Sequence, residues 1–297
     1  MENNTKSCFV AIVGKPNAGK SSLINALVGE KVAIVSDKPQ TTRTRITGVL
    51  TQGVNQYVFV DTPGLHKAKN KLSEYMVKTV NESICDVDVA VLVTDMAKEV
   101  FAAELKLIES IKKSGIPAIL LINKIDTVEN KEDILGRISM FTELCDFEAV
   151  IPASVLNNDG VDILMKELET FASYSPHFFP DDALTDQPER VIVAEIIREK
   201  VLNLMRDEIP HGIAVSIDLM KERDNGIIDI NATIICERDS HKGMVIGKGG
   251  AMLKKIGSLA RIEAESFLDA KINLQCWVKV KNDWRNKEQI IKQFGFN

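Results

Sequence analysis

Gly14-Lys15-Pro16-Asn17-Ala18-Gly19-Lys20-Ser21 follows the apolar run Phe9-Val10-Ala11-Ile12-Val13 and precedes Ser22-Leu23-Ile24-Asn25-Ala26-Leu27. This is G-x-x-x-x-G-K-S in the context that gives it meaning: a buried strand, a glycine loop and an opening helix. The glycines let backbone N–H groups converge on phosphate oxygens, and the helix N-terminus adds its partial positive charge. Lys20 can reach the β- and γ-phosphates, and the Ser21 hydroxyl, with Ser22 beside it, suits a magnesium ion. The stretch predicts a nucleoside triphosphate site.

Outward from that loop, strands and helices alternate to about Ala172, which predicts an α/β fold with a mainly parallel sheet. Expected strands are Phe9–Val13, Gly48–Thr51, Tyr57–Val60, Val87–Thr94, Ala118–Ile122 and Glu148–Ile151. Expected helices are Lys20–Leu27, Leu72–Ser83, Glu99–Lys113, Lys131–Cys145 and Asp162–Ser173. Ligands of such sheets bind beyond the carboxyl ends of the strands.

Two further motifs stand at such ends. Asp61-Thr62-Pro63-Gly64 closes Tyr57-Val58-Phe59-Val60; its carboxylate can hold magnesium through water, and Gly64 leaves a backbone N–H open to a γ-phosphate. Asn123-Lys124-Ile125-Asp126 closes Ile119-Leu120-Leu121-Ile122. Asp126 can accept two hydrogen bonds from the N1–H and 2-amino group of guanine, a pair that adenine does not offer. Asn123 would brace the loops and the Lys124 stem would cover one face of the base. Ser154-Val155 then reads as the loop whose backbone N–H meets the guanine O6.

Composition agrees with a two-domain globular protein of 297 residues, 45% hydrophobic and 27% charged. No apolar run is long enough to cross a bilayer, and the first residues lack the pattern of a secretory signal. Five cysteines, an odd number without a C-x-x-C pair, predict thiols in a reducing compartment, the cytoplasm by default. The net charge is −5, but from Arg190 to Asn297 basic residues outnumber acidic ones. An acidic part joined to a basic one predicts two jobs, with any polyanion on the second.

Together, Gly14–Ser21, Asp61–Gly64, Asn123–Asp126 and Ser154-Val155 resemble the translation-factor-related small GTPases, and Gln40-Thr41-Thr42-Arg43 is similar to switch I of the Era branch. The resemblance implies that Thr42, rather than Thr41, closes on magnesium when GTP is bound. Catalysis would then rest on Lys20, Thr42 and Gly64. The position that carries a water-orienting glutamine in Ras-like relatives holds Leu65, so slow hydrolysis is expected; His66 is the nearest titratable side chain. In related GTPases an asparagine in the phosphate loop can hold potassium as extra positive charge, which nominates Asn17.

A second region follows. Tyr174–Asp182 carries two prolines and reads as part of a linker, giving expected domains 1–174 and 190–297 joined by 175–189. Thr185–Arg190 and Ala194–Lys200 resemble the corresponding part of the Era family. The expected order is a helix (Val191–Asp207), strands Ile213–Lys221 and Gly226–Cys236 around Asp224-Asn225-Gly226, a glycine turn, a helix (Ala251–Phe267), a strand (Lys271–Val280) and a last helix (Asn286–Phe294). That order, with Gly247-Lys248-Gly249-Gly250 between two helices, resembles a smaller α+β type II KH domain. The bare turn lets an RNA backbone approach, Lys248 supplies charge, and the adjacent groove takes about four single-stranded bases. Lys242, Lys254, Lys255 and Arg261 extend the basic surface.

The Era resemblance spans Cys8 to Phe296. It implies a monomeric switch that binds GTP or GDP with magnesium, recognises the 3′ end of 16S ribosomal RNA during 30S subunit assembly, and associates peripherally with the inner face of the membrane in some members; no DNA partner is implied. Two alternatives stand beside it: an RNA-binding assembly factor whose nucleotide only stabilises the fold, and a membrane-linked GTPase contacting lipid through the last helix.

Overall fold

A computed structural model describes residues 4–36, 38, 41–43, 46–61, 71–72, 74, 76, 87–205 and 212–294. The chain divides into two compact units, one holding most of the sequence up to Asp186 and the other holding Gln187–Asn297 together with Ile34–Thr41.

The first unit is built on strands β1 (Lys6–Gly14), β2 (Ile46–Gln52), β3 (Asn55–Asp61), β4 (Val89–Thr94), β5 (Ala118–Ile122) and β6 (Ala149–Pro152), in the order β2-β3-β1-β4-β5-β6. Only the β2–β3 pair is antiparallel along this path. Every residue of β4 and β5 is buried, as a parallel sheet covered on both faces requires. Helices α1 (Lys20–Val28), α2 (Ala102–Ser114), α3 (Lys131–Thr142) and α4 (Val161–Glu169) accompany it. Leu23, Leu27, Leu164 and Leu168 fill one core with Val10, Ile12 and Phe59, while Leu107, Ile111 and Phe141 fill a second with Ala11, Val13 and Leu92.

Some boundaries differ from the pattern-based expectation. Helix α2 starts at Ala102 instead of Glu99, because the Glu104 carboxylate accepts the Phe101 N–H and fixes the first turn there. Helix α4 ends at Glu169, and Ser173–Tyr174 forms a short strand, β7, antiparallel to the start of β1. Most of the expected helix Leu72–Ser83, and Cys85, lie outside the described residues.

The stretch 175–186, expected as part of a linker, lies along the first unit. Val49 N–H donates to Leu184 O at 2.8 Å, Thr47 bonds Asp186, and Gly48 bridges Thr185. The fully buried Gln56 accepts from the N–H groups of Phe178 and Phe179 and donates to Phe179 O. This belt occupies the free edge of β2, which would otherwise expose unpaired backbone groups.

The second unit contains α5 (Glu189–Leu204), β8 (Ala214–Glu222), β9 (Ile228–Cys236), α6 (Asp239–Ile246), α7 (Ala251–Leu268), β10 (Ile272–Val280) and a terminal α8 (Glu288–Gln293). Its sheet runs β10-β9-β8, with β9 parallel to β10 and antiparallel to β8. Val193, Ile197 and Val201 of α5 and Ile256, Ala260 and Ala264 of α7, spaced at helical period, pack on the sheet through Ile230, Ala232 and Ile234. Within this unit Glu199 accepts the Val35 N–H at 2.8 Å, and Arg198 donates to Thr41 O.

Candidate guanine-nucleotide site

The loop from Gly14 to Gly19 joins β1 to α1, and its end glycines are fixed by contact as much as by conformation. A Cβ on Gly14 would stand 2.3 Å from Val93 O; one on Gly19, where φ is +102°, would stand 2.1 Å from Asn123 Nδ2. Lys20, Ser21 and Ser22 form the first turn of α1, after Lys15, Pro16, Asn17 and Ala18 have carried the chain across the end of the sheet. Lys20 is 6% exposed and donates to Lys15 O at 3.0 Å. Burial lowers its pKa from 10.5 to about 8, against an opposing pull from Asp61.

Three oxygens converge beside it. Ser21 Oγ lies 2.8 Å from Asp61 Oδ2 and 2.9 Å from Thr42 Oγ1, and Thr42 Oγ1 is 3.3 Å from that same carboxylate oxygen. Two hydroxyls and a fully buried carboxylate are hard oxygen donors of the kind magnesium prefers, so this set fits the ion. The neighbouring Thr41 instead bonds Lys38 O at 2.6 Å. Thr62, Pro63, Gly64, Leu65, His66 and Gln40 lie outside the described residues.

At the end of β5, Asn123 joins three loops. Its Nδ2 donates to Ala18 O at 2.9 Å, and its Oδ1 accepts the N–H groups of Lys124 and Val155 at 2.8 and 3.0 Å. Val155 N–H is therefore engaged, and reaches a base oxygen only by sharing that bond. Lys124 takes a left-handed conformation, φ 64°, that directs its ammonium to Asn17 O at 2.7 Å. The short helical turn Ile125–Thr127 carries Asp126, whose carboxylate accepts from Ser154 Oγ at 2.5 Å. That bond fixes the orientation of the carboxylate.

Pattern reading passed over Asp95, which directly follows β4 as Asp61 closes β3. Its carboxylate is 2.6 Å from Lys15 Nζ and 3.8 Å from Lys124 Nζ. The signal was available: an acidic residue directly after a fully buried strand, at the carboxyl end of the sheet.

In the second unit, Gly247-Lys248-Gly249-Gly250 turns between α6 and α7, with φ of +72°, +59° and +81° at its glycines. A Cβ on Gly247 would press on Met252 at 2.7 Å, whereas Gly249 and Gly250 face open space. Beside the turn, Gly250, Leu253, Lys254, Ser258, Leu274 and Cys276 line part of an open cleft of about 380 Å³. Lys248, Lys254, Lys255 and Arg261 are exposed and Lys242 is half-buried. An apolar floor with a basic rim suits unstacked bases on a charged backbone.

Comparison with known proteins agrees with both halves. A model of the family described as 50S ribosome-binding GTPase matches residues 9–124, and one of the KH domain matches 208–285. GTPase Era of Ruminiclostridium cellulolyticum is 49% identical over 98% of this chain and 97% of its own length. GTPase Era of Clostridioides difficile is 50% identical over 98% and 99%. Among solved structures, Era in complex with MgGDPNP and nucleotides 1506-1542 of 16S ribosomal RNA has a TM-score of 0.94 at 36% identity, covering 98% of this chain and 99% of that one. A point variant of Aquifex aeolicus Era bound to GDP.AlF4- gives the same TM-score, identity and coverage.

Proposed function

Since this chain belongs to the GTPase Era family, a P-loop GTPase fold followed by a KH domain, we propose that it works as a slow switch: its nucleotide state governs how residues 190–297 hold the 3′ end of 16S ribosomal RNA. Assisting assembly of the small ribosomal subunit, in the cytoplasm and with peripheral contact at the membrane, is the role this reading assigns. Asp126, Asn123 and Lys124 hold the base, the loop Gly14–Ser21 the phosphates, and Ser21 and Thr42, with Asp61 through water, the magnesium. The bound ion would supply positive charge to the phosphate oxygens. Lys20 adds an ammonium where charge develops during transfer, and Thr42 ties the loop before β2 to the site. With an apolar Leu65 where relatives orient water, turnover is expected to be slow until a partner intervenes.

The observation that carries this reading is the convergence of Ser21, Thr42 and Asp61 on one point, with Asp126 oriented by Ser154 on the loop that Asn123 ties to Ala18. Its test is competition for labelled GDP. Unlabelled GTP should displace it at concentrations where ATP does not; equal displacement by ATP would overturn the guanine assignment. Binding of an RNA carrying the 16S 3′ end, compared between GDP and a non-hydrolysable GTP analogue, tests the switch. Equal affinities would leave the nucleotide with a structural role only.

A further inference from the structure

We propose that Asp95 is a positioning residue that locks the phosphate loop to the base loop, and through that lock sets the affinity for GTP and GDP alike. The inference rests on the nucleotide site proposed above. One nucleotide must be gripped at both ends at once, so the two loops have to be held at a fixed separation before it arrives; otherwise binding bears the cost of ordering them.

Each loop sends a lysine to the same carboxylate. Lys15, from the phosphate loop, meets Asp95 Oδ1 at 2.6 Å, and Lys124, from the base loop, stands 3.8 Å from Oδ2. Lys124 also donates back to Asn17 O of the phosphate loop. Lys15 also lies over the Phe101 ring, 4.4 Å from its centroid, so its ammonium is held between that ring and the Asp95 carboxylate. Asp95 is thus a shared counter-charge for one lysine from each loop.

Asp95 cannot drift to follow either lysine, because its main chain is fastened from behind. Arg137, 2% exposed, donates from Nε to Asp95 O at 3.0 Å, from Nη1 to Glu99 O at 2.8 Å and from Nη2 to Thr94 Oγ1 at 2.7 Å. The fully buried Glu104 pairs with the same guanidinium at 3.3 Å. A buried ion pair of this kind is costly unless every donor has work, and here its donors fix the peptide of the residue that spans the two loops.

Asp95→Asn in the full chain is the test, read by the dissociation rates of fluorescent GDP and of a fluorescent non-hydrolysable GTP analogue. Both rates should rise by the same factor, about fivefold to thirtyfold, as expected for coupling between groups in contact. The melting temperature of the nucleotide-free protein should stay within a few degrees of wild type. Asp95→Glu, which keeps the charge, should restore most of the affinity. In the Asp95→Asn background, Lys15→Met should cost less than it does alone. Unchanged rates, a loss confined to one nucleotide, additive losses in the double variant, or a loss tracking a lowered melting temperature would each overturn the proposal. Failure of the wild-type chain to bind GDP would sink the site assignment instead.

Discussion

Lys20 sits in surroundings that oppose its own charge. Its pKa of about 8 means that protein without nucleotide begins to lose this proton just above neutral pH, while a bound phosphate favours the charged form. Nucleotide binding should therefore take up protons between about pH 7.5 and 9, and affinity should fall as pH rises through 8. The unfolded chain, with an ordinary lysine pKa near 10.4, binds more protons than the native one between about 8 and 10.4, so Lys20 makes native stability rise with pH in that window. Titration calorimetry of GDP in buffers of different ionisation heat measures the uptake; Lys20→Ala should abolish it. Lys20, Asp61 and Asn123 could be read from the chain because each follows a strand in a fixed local pattern. The partners of Asp95 and Ser154 could not: the lysines that meet Asp95 and the carboxylate that meets Ser154 Oγ are brought near by the sheet, which no local spacing encodes.

Elements add a second layer of meaning to the same residues. Asn25, the fourth residue after Ser21 on α1, accepts the N–H groups of Val32 and Ala33 at 3.0 and 2.9 Å and donates to Ala33 O at 2.7 Å. From the phosphate helix it thus pins the chain just before the segment that leads to Thr42. Strand positions were legible because β1, β3, β4 and β5 are continuous apolar runs. Helix ends were less so, since α2 begins and α4 ends where a side-chain cap and a strand partner take over from periodicity. In the second unit, the turn between α6 and α7 shows what a glycine contributes. At Gly249 a side chain meets open space but must adopt φ of +59°. Asp tolerates that conformation better than most residues, so Gly249→Asp should keep the fold and lower thermal stability by only about 1 kcal/mol. It places a carboxylate where RNA phosphates would pass, so RNA affinity should fall at least tenfold, a factor corresponding to about 1.4 kcal/mol. Filter binding at two salt concentrations distinguishes this from unfolding, which would erase the salt dependence altogether.

At the scale of the whole molecule, the chain between Ala33 and Thr42 changes company. Ile34–Thr41 clusters with the second unit, where α5 holds it through Arg198 and Glu199, and the next residue, Thr42, stands with Ser21 and Asp61 in the first. Under the proposed switch, a GTP-dependent movement of Thr42 would pull on the residue next to it in the chain, Thr41, whose carbonyl Arg198 holds. Arg198 is 2% exposed, and its Nη1 has no hydrogen-bond partner among the described residues, so its charge is an expensive way to fill that space. Arg198→Met should nonetheless lower the unfolding free energy by about 1–3 kcal/mol, the cost of leaving the Thr41 carbonyl without its donor, while Glu195, 26% exposed, turns to solvent once its partner is gone. If the grip on Thr41 conveys nucleotide state, this variant should bind RNA with the same affinity in GDP as in the GTP analogue, while wild type distinguishes them. A variant that still distinguishes them as wild type does would show that the signal travels elsewhere, and loss of RNA binding in both states would mean that Arg198 supports the RNA-binding unit itself.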